Sequence, residues 1–498
     1  MNYRYYLIIV CLWLCMPLCA QDLFVPTEKP VKREVRGVWL TTLNGLDWPK
    51  TKATSAANRE KQQKELCQIL DQLQQCGINT VFLQTRIRGA VLYPSKIEPW
   101  DVAMTGSYNK HPGYDPLKYA IEETHKRGME LHAWVVTIPA FKTAVASKIG
   151  KNSLMRTNPG LLRKHNGSYY MDPGEPETAR YLTRICNEIV ENYDVDGIHL
   201  DYIRYPENPN SFKDAATFKK YGKGKKKEHW RRENVDKIVK DIYEGVKSRK
   251  PWVRVSCSPV GKYKDVSRYS AKGWNAFDAV YQDAQGWLKE GTMDMLCPMM
   301  YFDGDHFYPF AADWQENTFG RTVVPGLGIY FMHPREKDWP WGVIQRQLCY
   351  LRQQGLQGQA YFRSQFLTDN TKGLYDYLKQ DYYPHPALMP AMPWQHNKAP
   401  EAPKLTQRER VNGTHERICW EEVPNEGGST CRYVIYASTS YPVDTENPRN
   451  IVDITWNTSY TYNLLSSTLH NLNLVLTAVD RYGNESEATP ITLRKEAK

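Results

Sequence analysis

None of the eleven cysteines of this chain stands in a CxxC pair, and no cysteine–histidine cluster has zinc spacing. A zinc finger and a thioredoxin-type redox centre are therefore excluded. No Gly-rich phosphate fingerprint follows the first apolar run, which argues against an open dinucleotide-binding sheet, the main alternative fold. Ser256, Ser258 and His199 form no nucleophilic triad, and no histidine–aspartate set suits a catalytic metal. Neither metal nor cofactor is expected. There is no internal repeat and no low-complexity tract. The one long apolar run, Leu7 to Leu18, is shorter than the roughly 20 residues that span a bilayer.

That run belongs to residues 1–20, which read as a signal peptide. Arg4 supplies the positive start and Ala20 a small residue before a cut at Gln21. The mature protein is expected to be exported, periplasmic or secreted, with no transmembrane segment. In an oxidising compartment Cys419 and Cys431, which flank a loop, could form a hairpin disulfide. The net charge is +10, and much of the excess lies in Lys219–Arg232, which includes KGKKKEHWRR. An exported chain meets little nucleic acid, so this run reads as a solvated loop, with contact to an anionic glycan or membrane surface second. Nothing here fixes an oligomeric state.

From residue 35 short apolar runs alternate with amphipathic helices. The runs are Val35–Thr41, Thr80–Thr85, Glu130–Thr137, Gly197–Asp201, Val253–Ser258, Met293–Tyr301, Val323–Ile329 and Gln359–Arg363. Between them Leu66, Ile69, Leu70 and Leu73, and later Val235, Ile238, Val239, Ile242 and Val246, recur at helical spacing. Gly77, Gly128 and Gly355 close three helices. Eight alternations predict an α/β fold, a (β/α)8 TIM barrel over residues 34–382 with insertions at 138–176 and 206–230. Residues 383–403 are Pro-rich and read as a linker. Residues 404–498 carry short β-rich runs separated by turn signals, as in a small sandwich. LVLTAVDRYGNES looks like the closing strands of a fibronectin type III module. The barrel is expected to fold without this second domain.

In such a barrel chemistry gathers at the carboxyl ends of the strands. The stretch DGIHLDYIRYP, Asp196 to Pro206, runs from a buried strand into Asp201, then Tyr202, Arg204 and Tyr205. A strand-end carboxylate beside flat rings suits a sugar, since the acid moves a proton or attacks while the rings cover the pyranose face. Glycoside cleavage normally needs a second carboxyl group. Asp303, after the sixth run, is the first candidate, then Asp305, Asp283 and Glu98. Trp134 and Tyr301 add aromatic surface. Arg86, Arg204 and Arg363 could grip carboxylates or hydroxyls. Asp196 and Asp294 precede their strands and read as turn or capping residues, and His199 as a packed one.

REVRGVWLTT, RIRGAVLYPS, DPLKYAIEETHKRGMELHAW, YDVDGIHLDYIRYP and GTMDMLCPMMYF occur in that order. Together they resemble the glycoside hydrolase-like ten family of exported bacterial barrel proteins. The resemblance implies glycosidase activity, with cell-wall glycan strands stripped of stem peptides as one substrate class. Carried over by motif, Asp201, Arg86, Glu98 and Trp134 fall at expected positions. Many members have paired acids where this chain has Asp201-Tyr202, and an Asn-Pro-Tyr-Arg-like ending where it has Val135-Val136-Thr137. Two functions stand side by side: a glycosidase acting on a polysaccharide or on peptidoglycan strands, or a non-catalytic glycan-binding barrel. A second carboxyl group within about 10 Å of Asp201 favours the enzyme.

Overall fold

The computed structural model describes residues 31–270, 272–425, 429–463 and 472–491. Residues 1–20, read as a signal peptide, lie outside them. The expected strands form in chain order: β1 (Val35–Leu40), β2 (Thr80–Arg86), β3 (Glu130–Val136), β4 (Gly197–Asp201), β5 (Arg254–Ser258), β6 (Met295–Leu296), β7 in two pieces (Thr322–Val323 and Gly326–Leu327) and β8 (Gly358–Phe362). All pair in parallel. The first piece of β7 pairs with β6 and the second with β8, so the sheet closes on itself as a barrel. Pro325 stands at the break, where it can donate no ladder hydrogen bond. Pro298 shortens β6 in the same way, well inside the longer run expected there.

Side-chain alternation sets the two cores. Val35 and Trp39 of β1 point into the barrel with Phe82, Trp134 and Met295. Val38 and Leu40 point outward into the helical layer. Gly326 has no side chain because a Cβ there would lie 2.9 Å from the Trp39 ring. His199 is a packed interior residue, as expected. Its Nε2 accepts from Trp39 at 3.0 Å, its Nδ1 meets the Ser256 hydroxyl at 2.9 Å, and burial keeps it neutral. The helix Lys227–Lys247 buries Val235, Ile238, Val239, Ile242 and Val246, the stripe the spacing predicts. Each such side chain contributes about 1.5–3 kcal/mol.

Among the described residues, 405–491 hold seven antiparallel strands in a three-stranded and a four-stranded sheet. Ile418, Trp420 and Tyr462 of one sheet pack on Tyr433, Ile435 and Leu476 of the other. Cys419 and Cys431 are free thiols, so the expected bridge is not formed. Cys431 lies in this inner core, whereas Cys419 sits between inward-facing Ile418 and Trp420 and points outward.

The Pro-rich segment is not a free linker. Met389 enters the interior of the barrel from below, and Leu388 packs against Val434 and Tyr436 of the sandwich. Asp196 and Asp294 are more than turn residues, because both anchor this junction. Asp196 pairs with Arg481 at 2.9 Å and His125 at 2.8 Å, and Asp294 accepts from Trp394 at 2.8 Å. Glu130 pairs with Arg432 at 2.9 Å. Burial would raise the carboxyls of Asp196 and Glu130, but these cations hold both below their ordinary values. The sandwich therefore sits on the amino-terminal face of the barrel and leaves the carboxyl ends of the strands clear. Gly128 lies in this contact with φ +71°, and a Cβ on it would meet the Ile454 carbonyl oxygen at 2.3 Å. Gly128→Ala should cost about 1–3 kcal/mol in chemical denaturation. An unchanged midpoint would show that the contact gives way freely.

Candidate active site

Asp201 ends β4 and is only 5% exposed. Its Oδ1 accepts from the Ser258 hydroxyl at 3.0 Å and from the Tyr202 backbone N–H at 2.8 Å. Its Oδ2 accepts from Trp134 Nε1 at 3.0 Å. The register places these donors: Ser258 is paired with Asp201 across β5, and Trp134 lies two residues before its partner Val136 on β3, on the same face. Burial pushes the Asp201 carboxyl above the ordinary aspartate value, and Ser258, Arg204, the Tyr202 N–H and Trp134 offset this only in part. Tyr202 has φ +54°, the left-handed region, which costs a bulky residue about 1–3 kcal/mol. This turn aims its N–H back at Asp201 and leaves the residue 38% exposed.

Beside this turn opens a cavity of about 310 Å³. One wall is the β4 end, with Tyr202, Arg204, Tyr205 and Glu207. The other is a small antiparallel sheet inserted after β3, which contributes Phe141, Lys142, His165 and Tyr169. Arg88 reaches in from the loop after β2. The Arg204 guanidinium lies between two rings, 5.0 Å from the centre of Tyr202 and 5.3 Å from that of Trp274. Burial and the Asp201 charge raise the Tyr202 hydroxyl, with Arg204 and Arg88 opposing and Glu207 adding to the rise. Tyr301 packs against Tyr330 at 5.8 Å and Phe362 at 5.5 Å, and burial together with the Asp201 charge raises its hydroxyl.

Trp134 and the Tyr202 N–H bond the Asp201 carboxylate, and Arg204 and Tyr301 interact with its charge. Others do not. Arg86 and Glu98 form a fully buried ion pair at 2.6 Å, and Tyr181 donates to the same Glu98 carboxylate at 3.0 Å. Arg86 also donates to the carbonyls of Val136 and Thr137, so the pair braces β2 against the end of β3 and offers no surface to a sugar. Glu98→Gln should cost about 3 kcal/mol of stability by leaving Arg86 buried and under-paired. If denaturation is unchanged and only glycan affinity falls, the pair is a binding element after all. Tyr205 lines the cavity wall but makes no contact with Asp201; it is otherwise fully buried and accepts from Asn234 at 3.2 Å. Asp283 caps the helix Ala284–Glu290, accepting from Gly286 N–H at 3.1 Å and the Tyr263 hydroxyl at 2.6 Å. Arg363, just after β8, is paired with Asp47 in the loop after β1. Asp303 is exposed at the start of the turn Gly304–His306 and does not line the cavity. Asp305 falls in that turn, and its side chain lies outside the described residues.

Ser258, Glu207, Trp274, Arg88 and Lys142 were not expected at the site. Ser258 and Glu207 carry a signal in hindsight: one ends β5 and the other follows Pro206 at the end of the strand-four motif. Lys142 and its neighbours come from an inserted sheet that no periodicity marks.

Comparison with known proteins agrees with this geometry. The family model described as "Glycosyl hydrolase-like 10" matches residues 34–330. The chain is 31% identical to glycosyl hydrolase YngK of Bacillus subtilis over 487 residues, covering 93% of this chain and 94% of the relative. It is 35% identical to glycosyl hydrolase DigH of Escherichia coli over 377 residues, covering 68% of this chain and 85% of the relative. Among solved structures, the PgaB (BpsB) glycoside hydrolase domain of Bordetella bronchiseptica is 14% identical at a TM-score of 0.48, covering 70% of this chain and 99% of that one. A strand-end acid in a closed barrel and relatives that match along most of the chain lead to one conclusion: this protein is a glycosidase and belongs to the glycosyl hydrolase-like 10 family.

Proposed function

We propose that this glycosidase is exported and cleaves bacterial cell-wall glycan strands from which the stem peptides have been removed, with Asp201 as general acid. The observation that carries the chemistry is the setting of Asp201: buried at a strand end, its carboxyl raised, and next in the chain to Tyr202, which lines a cavity. A raised carboxyl keeps a proton to give to a leaving oxygen, the role that burial assigns to acids in glycosidases. Glu207 is the partner carboxylate in this reading, because it belongs to the same β4 turn as Asp201 and faces the cavity lined by Tyr202, whereas Asp303 is exposed in the loop after β6. Export rests on the residue 1–20 pattern. The sandwich is read as a fibronectin type III-like module on its three-plus-four strand arrangement, and it docks the barrel without covering the site.

The pH dependence follows from the sign of the shift. The Asp201 carboxyl is raised in the folded chain. Its protonated form, and the stability that goes with it, is fully present below the ordinary aspartate value and is lost as pH rises through the raised one. A general acid loses rate over the same upper window, so cleavage should fall on the alkaline limb at a pH above that of an ordinary aspartate. If the limb assigned to Asp201 instead lies on the acid side, the residue acts as base or nucleophile.

The substrate is tested by incubating the full chain with intact peptidoglycan, peptide-free glycan strands and a panel of neutral polysaccharides, with products read by mass. Cleavage of the peptide-free strands alone is expected. Equal cleavage of intact peptidoglycan, or cleavage only of a neutral polysaccharide, contradicts the substrate assignment.

A further inference from the structure

The buried arginines of this protein almost all hold carboxylates. Arg36 pairs with Glu34, Arg86 with Glu98, Arg231 with Asp214, Arg432 with Glu130 and Arg481 with Asp196. Arg254 is held by the Pro390 carbonyl at 2.7 Å instead, and Arg204 departs from both patterns. It is only 6% exposed, it forms no ion pair among the described residues, and its Nη1 has no hydrogen-bond partner. Asp201 feels its charge, but the oxygens of Asp201 are taken by Ser258, the Tyr202 N–H and Trp134. Two ring faces fix the guanidinium in place. A buried, immobilised and unpaired guanidinium is costly to keep unless something outside the chain completes it.

The cavity it lines supplies the setting for that group. Arg88 and Lys142 also line it, and neither forms an ion pair among the described residues. Glu207 is the opposing charge, and His165 holds the backbone carbonyl of Glu207 at 3.0 Å. Three cations therefore face one carboxylate. A volume of about 310 Å³ is at the small end of ligand sites, enough for a single sugar unit with its substituents. A planar guanidinium backed by rings fits a planar carboxylate through two parallel hydrogen bonds.

We propose that this cavity is a subsite for the free carboxylate of an acidic sugar, with Arg204 as its principal ligand and Arg88 and Lys142 as flanking charges. The inference rests on the reading of peptide-free strands as substrate, because removing a stem peptide exposes the lactyl carboxylate of each muramic acid unit. The same group, when amide-linked to a peptide, has neither the charge nor the room. The subsite would thus be what separates stripped strands from intact wall.

The test is a titration of the full chain with N-acetylmuramic acid, its methyl ester, N-acetylglucosamine and N-acetylglucosamine 6-phosphate, followed by calorimetry. None of these monosaccharides has a glycosidic bond to cleave, so the result does not depend on turnover. The free acid should bind at least about tenfold more tightly than its ester or the neutral sugar. Arg204→Met should erase that ratio, and Arg204→Lys should restore part of it. Lys142→Ala, at an exposed position, should reduce the ratio in a chain certain to fold if the wild type does. Equal affinity for acid and ester in the wild type, or a ratio untouched by Arg204→Met and Lys142→Ala, overturns the proposal. Tighter binding of the phosphate sugar than of the acid overturns the carboxylate assignment. Discrimination retained in a chain that cleaves no peptide-free strand would count against the proposed activity and leave the subsite standing.

Discussion

Asp201→Asn should lower glycan cleavage by about two to four orders of magnitude while the chain still folds. The amide keeps the shape and can still accept from Ser258 and the Tyr202 N–H, the two donors on Oδ1. What it loses is the ionisable proton of the carboxyl, which burial makes the folded chain hold to a higher pH than an ordinary aspartate. Removing the acid takes away an interaction made in the transition state, so the loss should appear in kcat rather than in KM alone. Stability should not fall in step. The ionised form of a buried, raised carboxyl is a burden on the fold at neutral pH, and the amide relieves it at the cost of one poor contact with Trp134 Nε1. Steady-state rates on peptide-free strands and a melting curve for the same preparation check both parts. A variant that keeps more than about a tenth of the rate removes Asp201 from the chemistry, since loss of a required acid should exceed that margin.

Removing the sandwich should unfold the barrel or leave it barely stable. A chain that stops at residue 403 strips Arg481 from Asp196 and Arg432 from Glu130, both buried on the amino-terminal face of the barrel. Each lost charge-assisted pair is worth about 1.5–3 kcal/mol, since water then reaches the carboxylate. With the uncovering of Leu388, which packs on Val434 and Tyr436, these losses approach the lower end of the 5–15 kcal/mol that holds a typical domain together. His125, which stacks on Trp456 at 4.6 Å, loses its cover as well. In the full chain, Arg481→Met should reproduce about half of the effect. Denaturation of the truncated chain and of the single variant measures the coupling. A truncated barrel with the full-length midpoint would show that the two units are independent, as the change of pattern after residue 403 suggests by itself.

That contrast shows what the chain discloses. Strand periodicity and the helical stripes are local, and they place β4 at Gly197–Asp201 and the buried face of Lys227–Lys247 where they occur. Asp201 is legible for the same reason, since a strand end in a barrel defines its face. Roles set by long-range pairing are not legible. Glu98 and Arg86 read as binding residues because a charged pair near a strand end looks functional, yet twelve residues apart they close on each other in the interior. Asp303 reads as the partner acid from strand order, whereas Glu207 reaches the cavity because the turn after Tyr202 folds back toward the inserted sheet. The Pro-rich segment reads as a linker because composition does not show that Met389 fills the open bottom of the barrel.

The central claim is that Asp201 meets the scissile bond at the mouth of the cavity between the β4 turn and the inserted sheet. A crystal structure of the Asp201→Asn chain with a peptide-free glycan oligosaccharide tests it directly. The bridging oxygen should lie about 2.6–3.2 Å from the residue 201 side chain, with one sugar unit in the cavity and the next over the Tyr202 and Trp274 rings. An oligosaccharide bound elsewhere on the barrel, or bound here with its glycosidic oxygens out of reach of residue 201, contradicts the account.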